Sequence, residues 1–344
     1  MLSSAAMRCL PAALLCAACA CATAHAAGAL PRLNILPGSL TVSGVSAGGY
    51  MATQYQVAYS QDVIGAGIIG AGPWLCAQGM LTRALDECAK GSTIGPETRP
   101  LVATLRASAA ARTVDDPSWL APDRIWIFHG SRDTKVGAAV SDSLLRFYRE
   151  FVPPERMHYE TRVPAAHGFP TAGFGGACGV AAAPWILDCQ YDAAGFMLRF
   201  LYDDLREPAG DITGELRTFD QGGYVAGGML ASFEDQGFLF VPAECAAGRP
   251  CRIHVAFHGC QQGSGFIGQT FARNAGYNRW ADANRIVVLY PQVARSHVWP
   301  FNPRGCWDWW GYSGAGYATR NGAQLASVRR MLSALGALGA LGAQ

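Results

Sequence analysis

A serine held between glycines, Gly44-Val45-Ser46-Ala47-Gly48, is the first group of residues whose types and spacing suggest chemistry. It matches G-x-S-x-G, the nucleophile elbow, in which a serine sits on a sharp strand-to-helix turn and the glycines keep side chains out of the bend. In a chain with 41 glycines the pattern by itself is weak, and a glycine-rich loop is the competing reading. The flanks give it weight. Leu40-Thr41-Val42 can feed a strand, and Tyr50 to Tyr59 contains few helix breakers.

A serine nucleophile needs a base, and the base needs an orienting acid. Two later segments repeat one design. In RIWIFHGSRDTKV (124–136) a strand over Ile125 to Phe128 runs into a turn-rich loop carrying Asp133; in MHYETRVPAAHGFPT (157–171) a short strand precedes a loop carrying His167. The chain order Ser46, Asp133, His167 is that of the α/β-hydrolases. In these roles Ser46 attacks an acyl carbon, His167 takes and returns its proton, and Asp133 holds the useful tautomer. Taken singly, an aspartate that caps a turn or a loop histidine is the commoner case. His129 is the rival base, but it shares its strand end with Asp133, and a base is better placed on its own loop. His158 lies in a strand-like run and reads as structural.

The elements that position these residues alternate strand and helix. DVIGAGIIGAG (62–72) reads as a buried strand and VSDSLLRFYREF (140–151) as a helix, which predicts an α/β fold with a mostly parallel sheet and its active residues at the carboxyl ends of the strands. An oxyanion site is also required. One donor is the N–H after the nucleophile, here Ala47; the other comes from a loop after a strand, often marked His-Gly. Too few residues precede Ser46 to supply that strand. The second half supplies it: RIHVAFHGCQQ (252–262) is an alternating strand ending in His258-Gly259-Cys260, with FARNAGYNRWADANR predicted as one helix and IVVLYPQ (286–292) as another strand. The economical reading is a circular permutation, with Cys260 donating the second N–H and a final helix over 324–335 packed beside the elbow strand.

Composition bounds the rest. The chain has 344 residues, half of them hydrophobic and 15% charged, with a formal net charge of +2, so it gives no argument for nucleic acid or anionic membrane as a partner. Arg8, the apolar run Cys9 to Thr23 and Ala24-His25-Ala26 read as a secretory signal peptide over 1–26. A lipid anchor at Cys16, Cys19 or Cys21 is disfavoured because none has the usual leucine three residues before it. No later stretch is long enough for a membrane span. The expected organisation is one catalytic domain over 27–336 and a low-complexity tail over 337–344.

Eight cysteines remain after the signal peptide. Proximity suggests Cys76–Cys88, Cys178–Cys189 and Cys245–Cys251, which leaves Cys260 with Cys306. That last bridge would tie the oxyanion loop to NPRGCWDWWGY (302–312) and stabilise by about 4 kcal/mol on the chain-entropy model. Zinc is the rival use of the cysteines, but no C-x-x-C or H-E-x-x-H spacing occurs, so neither metal nor cofactor is expected. Trp307, Trp309, Trp310 and Tyr312 are core if buried; exposed beside the nucleophile they form an apolar wall for a hydrophobic ester, or a carbohydrate platform.

Together, SGVSAGGYMATQYQVAYS, HGCQQ and NPRGCWDWWGY resemble the circularly permuted poly(3-hydroxybutyrate) depolymerases, secreted or periplasmic serine esterases, over nearly all of the mature chain. The resemblance implies Ser46, Asp133 and His167 as nucleophile, acid and base. It also implies Ala47 and Cys260 N–H groups as the oxyanion hole and tryptophans near Trp307 in a polymer-binding cleft. Many extracellular members carry a linker and a polymer-binding domain after the catalytic one; this chain ends soon after its last helix, so a catalytic domain alone is expected. The expected partner is a polyhydroxyalkanoate chain or oligomer, met by a monomer. A feruloyl or acetyl esterase for plant polysaccharide and a catalytically inactive polymer-binding protein are the alternatives.

Overall fold

The computed structural model describes residues 27–91 and 94–338. The expected signal peptide, residues 1–26, and the tail beyond 338 lie outside the described residues.

Among the described residues eleven strands are formed: β1 Ile35–Val45, β2 Val63–Ile69, β3 Arg124–Phe128, β4 Met157–Glu160, β5 Phe169–Thr171, β6 Gly176–Ala177, β7 Ile186–Asp188, β8 Glu215–Asp220, β9 Gln236–Val241, β10 Cys251–Phe257 and β11 Ile286–Tyr290. Eight of them make one sheet in the order β4-β3-β2-β1-β10-β11-β9-β8. From β4 to β11 every neighbouring pair is parallel; β9 and β8 close the edge as an antiparallel pair. The central strands VIGAGII and IVVLY are apolar at nearly every position because both faces of the sheet are covered.

One face buries the elbow helix Ala47–Ala58, the helix Ala138–Tyr148 and the final helix Ala323–Leu335, with Tyr55, Trp74, Phe147 and Trp307 among its fully buried side chains. The other carries the helices Ala193–Tyr202 and Tyr277–Asn284 over Trp126, Phe128, Phe169 and Tyr290. The elbow helix is buried all round, and its two glutamines find partners inside: Gln54 donates to Asp308 O at 2.9 Å and Gln56 to the Asp123 side chain at 2.7 Å.

This is a permuted α/β-hydrolase fold. β10 arrives late in the chain yet pairs directly with β1, with Leu40 opposite Ile253, Val42 opposite Val255 and Gly44 opposite Phe257. The permutation point is visible where the final helix meets β1: Leu33 N–H donates to Leu335 O at 3.0 Å.

Two expectations need correction in detail. The single helix expected through Phe271 divides into Thr270–Asn274 and Tyr277–Asn284, because Gly276 takes a left-handed φ of 91° that ends one helix and opens the next. The small sheet β5-β7-β6 has strands of only two or three residues, too short to carry a period, and the antiparallel edge pair β8/β9 extends the expected parallel sheet.

The cysteines pair as Cys76–Cys88, Cys178–Cys189, Cys245–Cys251 and Cys260–Cys306. Between β1 and β10, His254 is fully buried with Nδ1 2.7 Å from Thr41 Oγ1 and Nε2 2.7 Å from Ser43 Oγ. Burial pushes this imidazole from 6.5 down to about 3. It therefore stays neutral in the fold and charges in the unfolded chain, so the unfolded state binds more protons below about pH 6.5. Stability must fall as pH drops from about 6.5 toward 3, by up to about 1.4 kcal/mol per pH unit for this one group. Replacing it (His254→Gln) should lower stability at pH 7 but flatten the acid limb by that amount; urea unfolding at pH 7 and 4.5 measures both, and an unchanged slope would contradict the assignment.

Candidate active site

Ser46 stands where β1 turns into the elbow helix, with φ 58° and ψ −124°, a conformation side-chain-bearing residues rarely adopt. Its N–H donates to Ile69 O at 2.8 Å, and Tyr50 N–H returns to Ser46 O at 3.1 Å, so the turn is held from both sides. The two glycines are steric necessities. A Cβ on Gly44 would lie 2.1 Å from Gly48 O, and one on Gly48 would lie 2.3 Å from Phe257 O. The second close approach is what lets β10 bring its loop against the serine.

His167 Nε2 is 2.9 Å from Ser46 Oγ, and its Nδ1 is 2.7 Å from Asp133 Oδ2. The structure thus brings the three residues into one hydrogen-bonded line from the carboxyl ends of β1, β3 and β4. The Asp133 side chain is 3% exposed and that of His167 12%. Burial acts to raise the Asp133 carboxyl, but the His167 hydrogen bond and charge, with the N–H groups of Val136 and Lys135, outweigh it and leave the carboxyl below its ordinary value. Those two N–H groups donate to Oδ1 at 2.9 and 2.8 Å, so Oδ2 is left for the histidine. His129 takes no part in the line: it is buried, and its Nε2–H donates to Val136 O at 3.0 Å, which closes the Asp133 loop. His158 sits on β4 between Trp126 and Phe200.

The His258-Gly259-Cys260 loop lies across from the serine; a Cβ built on Gly259 would be 3.4 Å from Ser46 Cβ. His258 sets the orientation of the peptide between Gly259 and Cys260. Val293 N–H donates to its Nε2 at 3.2 Å, which fixes the proton on Nδ1, and Nδ1–H donates to Gly259 O at 2.7 Å. Burial, opposed by the bond to Gly259, lowers this histidine to about 4 and keeps it neutral. In a trans peptide the C=O and N–H point opposite ways, so anchoring Gly259 O turns Cys260 N–H away from His258. Neither Cys260 N–H nor Ala47 N–H has an acceptor among the described residues, and both residues line the same cleft as Ser46 and His167. Gln262 completes the loop: its Oε1 accepts from Gly259 N–H at 2.7 Å and its Nε2 donates to Trp185 O at 2.8 Å. Nothing in the sequence pattern singled out Gln262 or Trp185, although Gln262 belongs to the HGCQQ run.

The cleft has a volume of about 610 Å³ and is walled by Tyr50, Leu85, Val136, Trp185 and Trp309. Trp309 is half-buried and stacks on Tyr50 at 4.8 Å. Trp310 is also half-buried, edge-on to Trp309, but does not line the cleft. The expectation of substrate contact must be corrected for Trp307 and Tyr312. Trp307 is fully buried against Phe257 and Phe233, and Tyr312 is 6% exposed with its hydroxyl bonded to Cys306 O at 2.8 Å. The cause is Asp308, whose carboxylate gathers the N–H groups of Trp310, Gly311, Tyr312 and Ser313 into a turn. That turn directs 307 and 312 inward and 309 toward the cleft. Among the described residues no group of three His, Cys, Asp or Glu could hold a metal ion.

No family model matches the chain. Comparison with curated proteins finds a polyhydroxybutyrate depolymerase of Talaromyces funiculosus, 37% identical over 320 residues that span 88% of this chain and 91% of that one. The chain belongs to the poly(3-hydroxybutyrate) depolymerase family, a family of carboxylic ester hydrolases. A poly(3-hydroxybutyrate) depolymerase of Delftia acidovorans is 39% identical over 321 residues, 92% of this chain, and the chain spans 63% of that relative's length. Among solved structures, a depolymerase of this family from Penicillium funiculosum matches with a TM-score of 0.83 and 33% identity over 90% of this chain and 100% of that one. A serine-to-alanine variant of a PHB depolymerase complexed with an R3HB trimer matches with the same TM-score, 32% identity and the same coverage.

If His258 holds the depolymerase oxyanion peptide, His258→Phe should keep the ring packing on Trp307 but lower kcat on a soluble ester by about 10²-fold, with a much smaller change in KM. Steady-state kinetics on p-nitrophenyl butyrate measures the split, and a wild-type kcat in the variant would contradict it.

Proposed function

We propose that this chain is an exported serine esterase that hydrolyses poly(3-hydroxybutyrate) or its oligomers through an acyl-serine intermediate, with residues 27–336 as one catalytic domain acting as a monomer. The observation that supports the reading most is the line Ser46–His167–Asp133, at 2.9 and 2.7 Å, in one cleft with two backbone N–H groups that have no acceptor among the described residues.

In this mechanism Ser46 Oγ attacks the ester carbonyl while His167 Nε2 takes its proton. The carbonyl oxygen gains negative charge and receives hydrogen bonds from Ala47 and Cys260 N–H, which need no reorganisation because the elbow and the His258 loop hold them in advance. The tetrahedral centre collapses, the C–O bond to the alcohol breaks, and the imidazolium returns the proton to the leaving oxygen. Water then attacks the acyl-serine with His167 again as base; the acid departs and Ser46 regains its proton. Asp133, ionised and bonded to Nδ1, stabilises the imidazolium in both halves.

The apolar wall of Tyr50, Leu85, Val136, Trp185 and Trp309 suits a polyester of short aliphatic units. Val298, Trp299 and Phe301, exposed by 73%, 75% and 57%, offer an apolar hairpin for contact with an insoluble surface. Four disulfides among the described residues support an oxidising compartment, the periplasm or the medium. Among the described residues no helix is long and apolar enough to cross a membrane.

The test uses purified mature enzyme with amorphous poly(3-hydroxybutyrate), 3-hydroxybutyrate trimer, and feruloyl and acetyl esters. Faster turnover of the hydroxybutyrate substrates is expected. Ser46→Ala should fold, lose about 10³-fold or more of the activity and fail to take an organophosphate label. Residual turnover above a few per cent, or a retained label, would remove Ser46 from the mechanism; preference for the feruloyl or acetyl ester would replace the substrate.

A further inference from the structure

A cleft built for neutral esters has little use for charge, yet the walls of this one carry Lys90, Lys135 and Arg304 and no carboxylate. Asp133 is closed off behind His167. Lys90 has Asp86 at 3.4 Å, whereas Lys135 and Arg304 have no carboxylate partner among the described residues. The two unpaired cations belong to different loops of the lining. Arg304 is beside the oxyanion loop, its carbonyl accepting from Gln261 N–H at 2.8 Å. Lys135 is exposed on the Asp133 loop, and its backbone N–H donates at 2.8 Å to the same Asp133 carboxylate that holds His167.

The chemistry of a hydroxyalkanoate ester distinguishes these two loops. Each ester joins the acyl carbon of one unit to the hydroxyl oxygen of the next. The acyl unit leads to the hydroxyl end of the chain and the alcohol unit leads to the carboxyl end. His167 gives its proton to the leaving oxygen, so the alcohol unit, and with it the free carboxylate of a short oligomer, emerges on the His167 side. Lys135 stands on that side.

We propose that Lys135 binds the terminal carboxylate of soluble 3-hydroxyalkanoate oligomers, so that the enzyme favours substrates ending in a free acid and cuts them near that end. The proposal rests on the polyhydroxyalkanoate reading above. The interaction is between exposed groups, so its size is modest, about threefold in kcat/KM, and it weakens with added salt.

The experiment compares 3-hydroxybutyrate trimer as the free acid with the same trimer capped as its methyl ester, at low and high salt. The ratio of the two kcat/KM values does not depend on how much of a variant is folded. In the wild type the ratio should be about three in favour of the acid at low salt, carried by KM, and should approach one at high salt. Lys135→Gln should bring the low-salt ratio to about one, Lys135→Arg should restore it, Lys135→Glu should reverse it, and Arg304→Gln should leave it at the wild-type value. A wild-type ratio of one with both trimers cleaved would overturn the inference and leave the depolymerase reading standing. Loss of the ratio in Arg304→Gln but not in Lys135→Gln would place the carboxylate beside the oxyanion loop and also overturn it. Hydrolysis of neither trimer would overturn this inference together with the reading beneath it.

Discussion

Parallel pairing of β1 with β10 is the constraint from which the rest follows. These strands are far apart in the chain; the bond between Thr41 Oγ1 and His254 Nδ1, 2.7 Å long, spans a separation of 213 residues. Yet their register decides whether the loop after Phe257 lies over Ser46. Gly44 is opposite Phe257, and Gly48 is so close to Phe257 O that no Cβ would fit. A slip of one residue would reverse every side chain of the strand between the two faces of the sheet and carry the His258 loop off the serine. The buried set of Thr41, Ser43, His254 and Tyr277 specifies this register with polar contacts that only one alignment satisfies.

The same pairing is reinforced wherever the site meets it. Ser46 holds a left-handed backbone that costs about 1–3 kcal/mol in isolation, and the bonds to Ile69 O and from Tyr50 N–H oppose its relaxation. Cys260–Cys306 ties the His258 loop to the aromatic turn, and Gln262 ties it to Trp185 beside the His167 loop. Because His258 is neutral and used at both ring nitrogens, the Gly259–Cys260 peptide has one favoured orientation before any substrate arrives. In the proposed reaction that advance ordering is the source of the electrostatic stabilisation, since donors already aimed need not reorganise as charge develops.

Much of this was legible because chain order and strand ends carry it. Ser46, Asp133 and His167 each follow a run of β-branched or aromatic residues, and the His-Gly pair follows an alternating strand; period and punctuation are local signals. The permutation was readable from the shortage of chain before Ser46. What was not legible depends on where a loop side chain points. Trp307 and Trp309 are two residues apart in one aromatic run, and Asp308, by gathering four N–H groups, decides that one is core and the other cleft wall. The break at Gly276 was hidden inside an otherwise helical pattern, and β5, β6 and β7, of three, two and three residues, were too short to show a period. Gln262 acts through bonds to Gly259 and Trp185 that no spacing announces.

The central claim is spatial: two distant stretches of chain present one oxyanion site above the Ser46 hydroxyl. A crystal structure of the enzyme inhibited by a phosphonate ester tests it most directly. The account predicts phosphorus bonded to Ser46 Oγ and its anionic oxygen about 2.7–3.1 Å from both Ala47 N and Cys260 N. An oxygen turned to solvent or to other donors, with the Cys260 amide facing away, would contradict it.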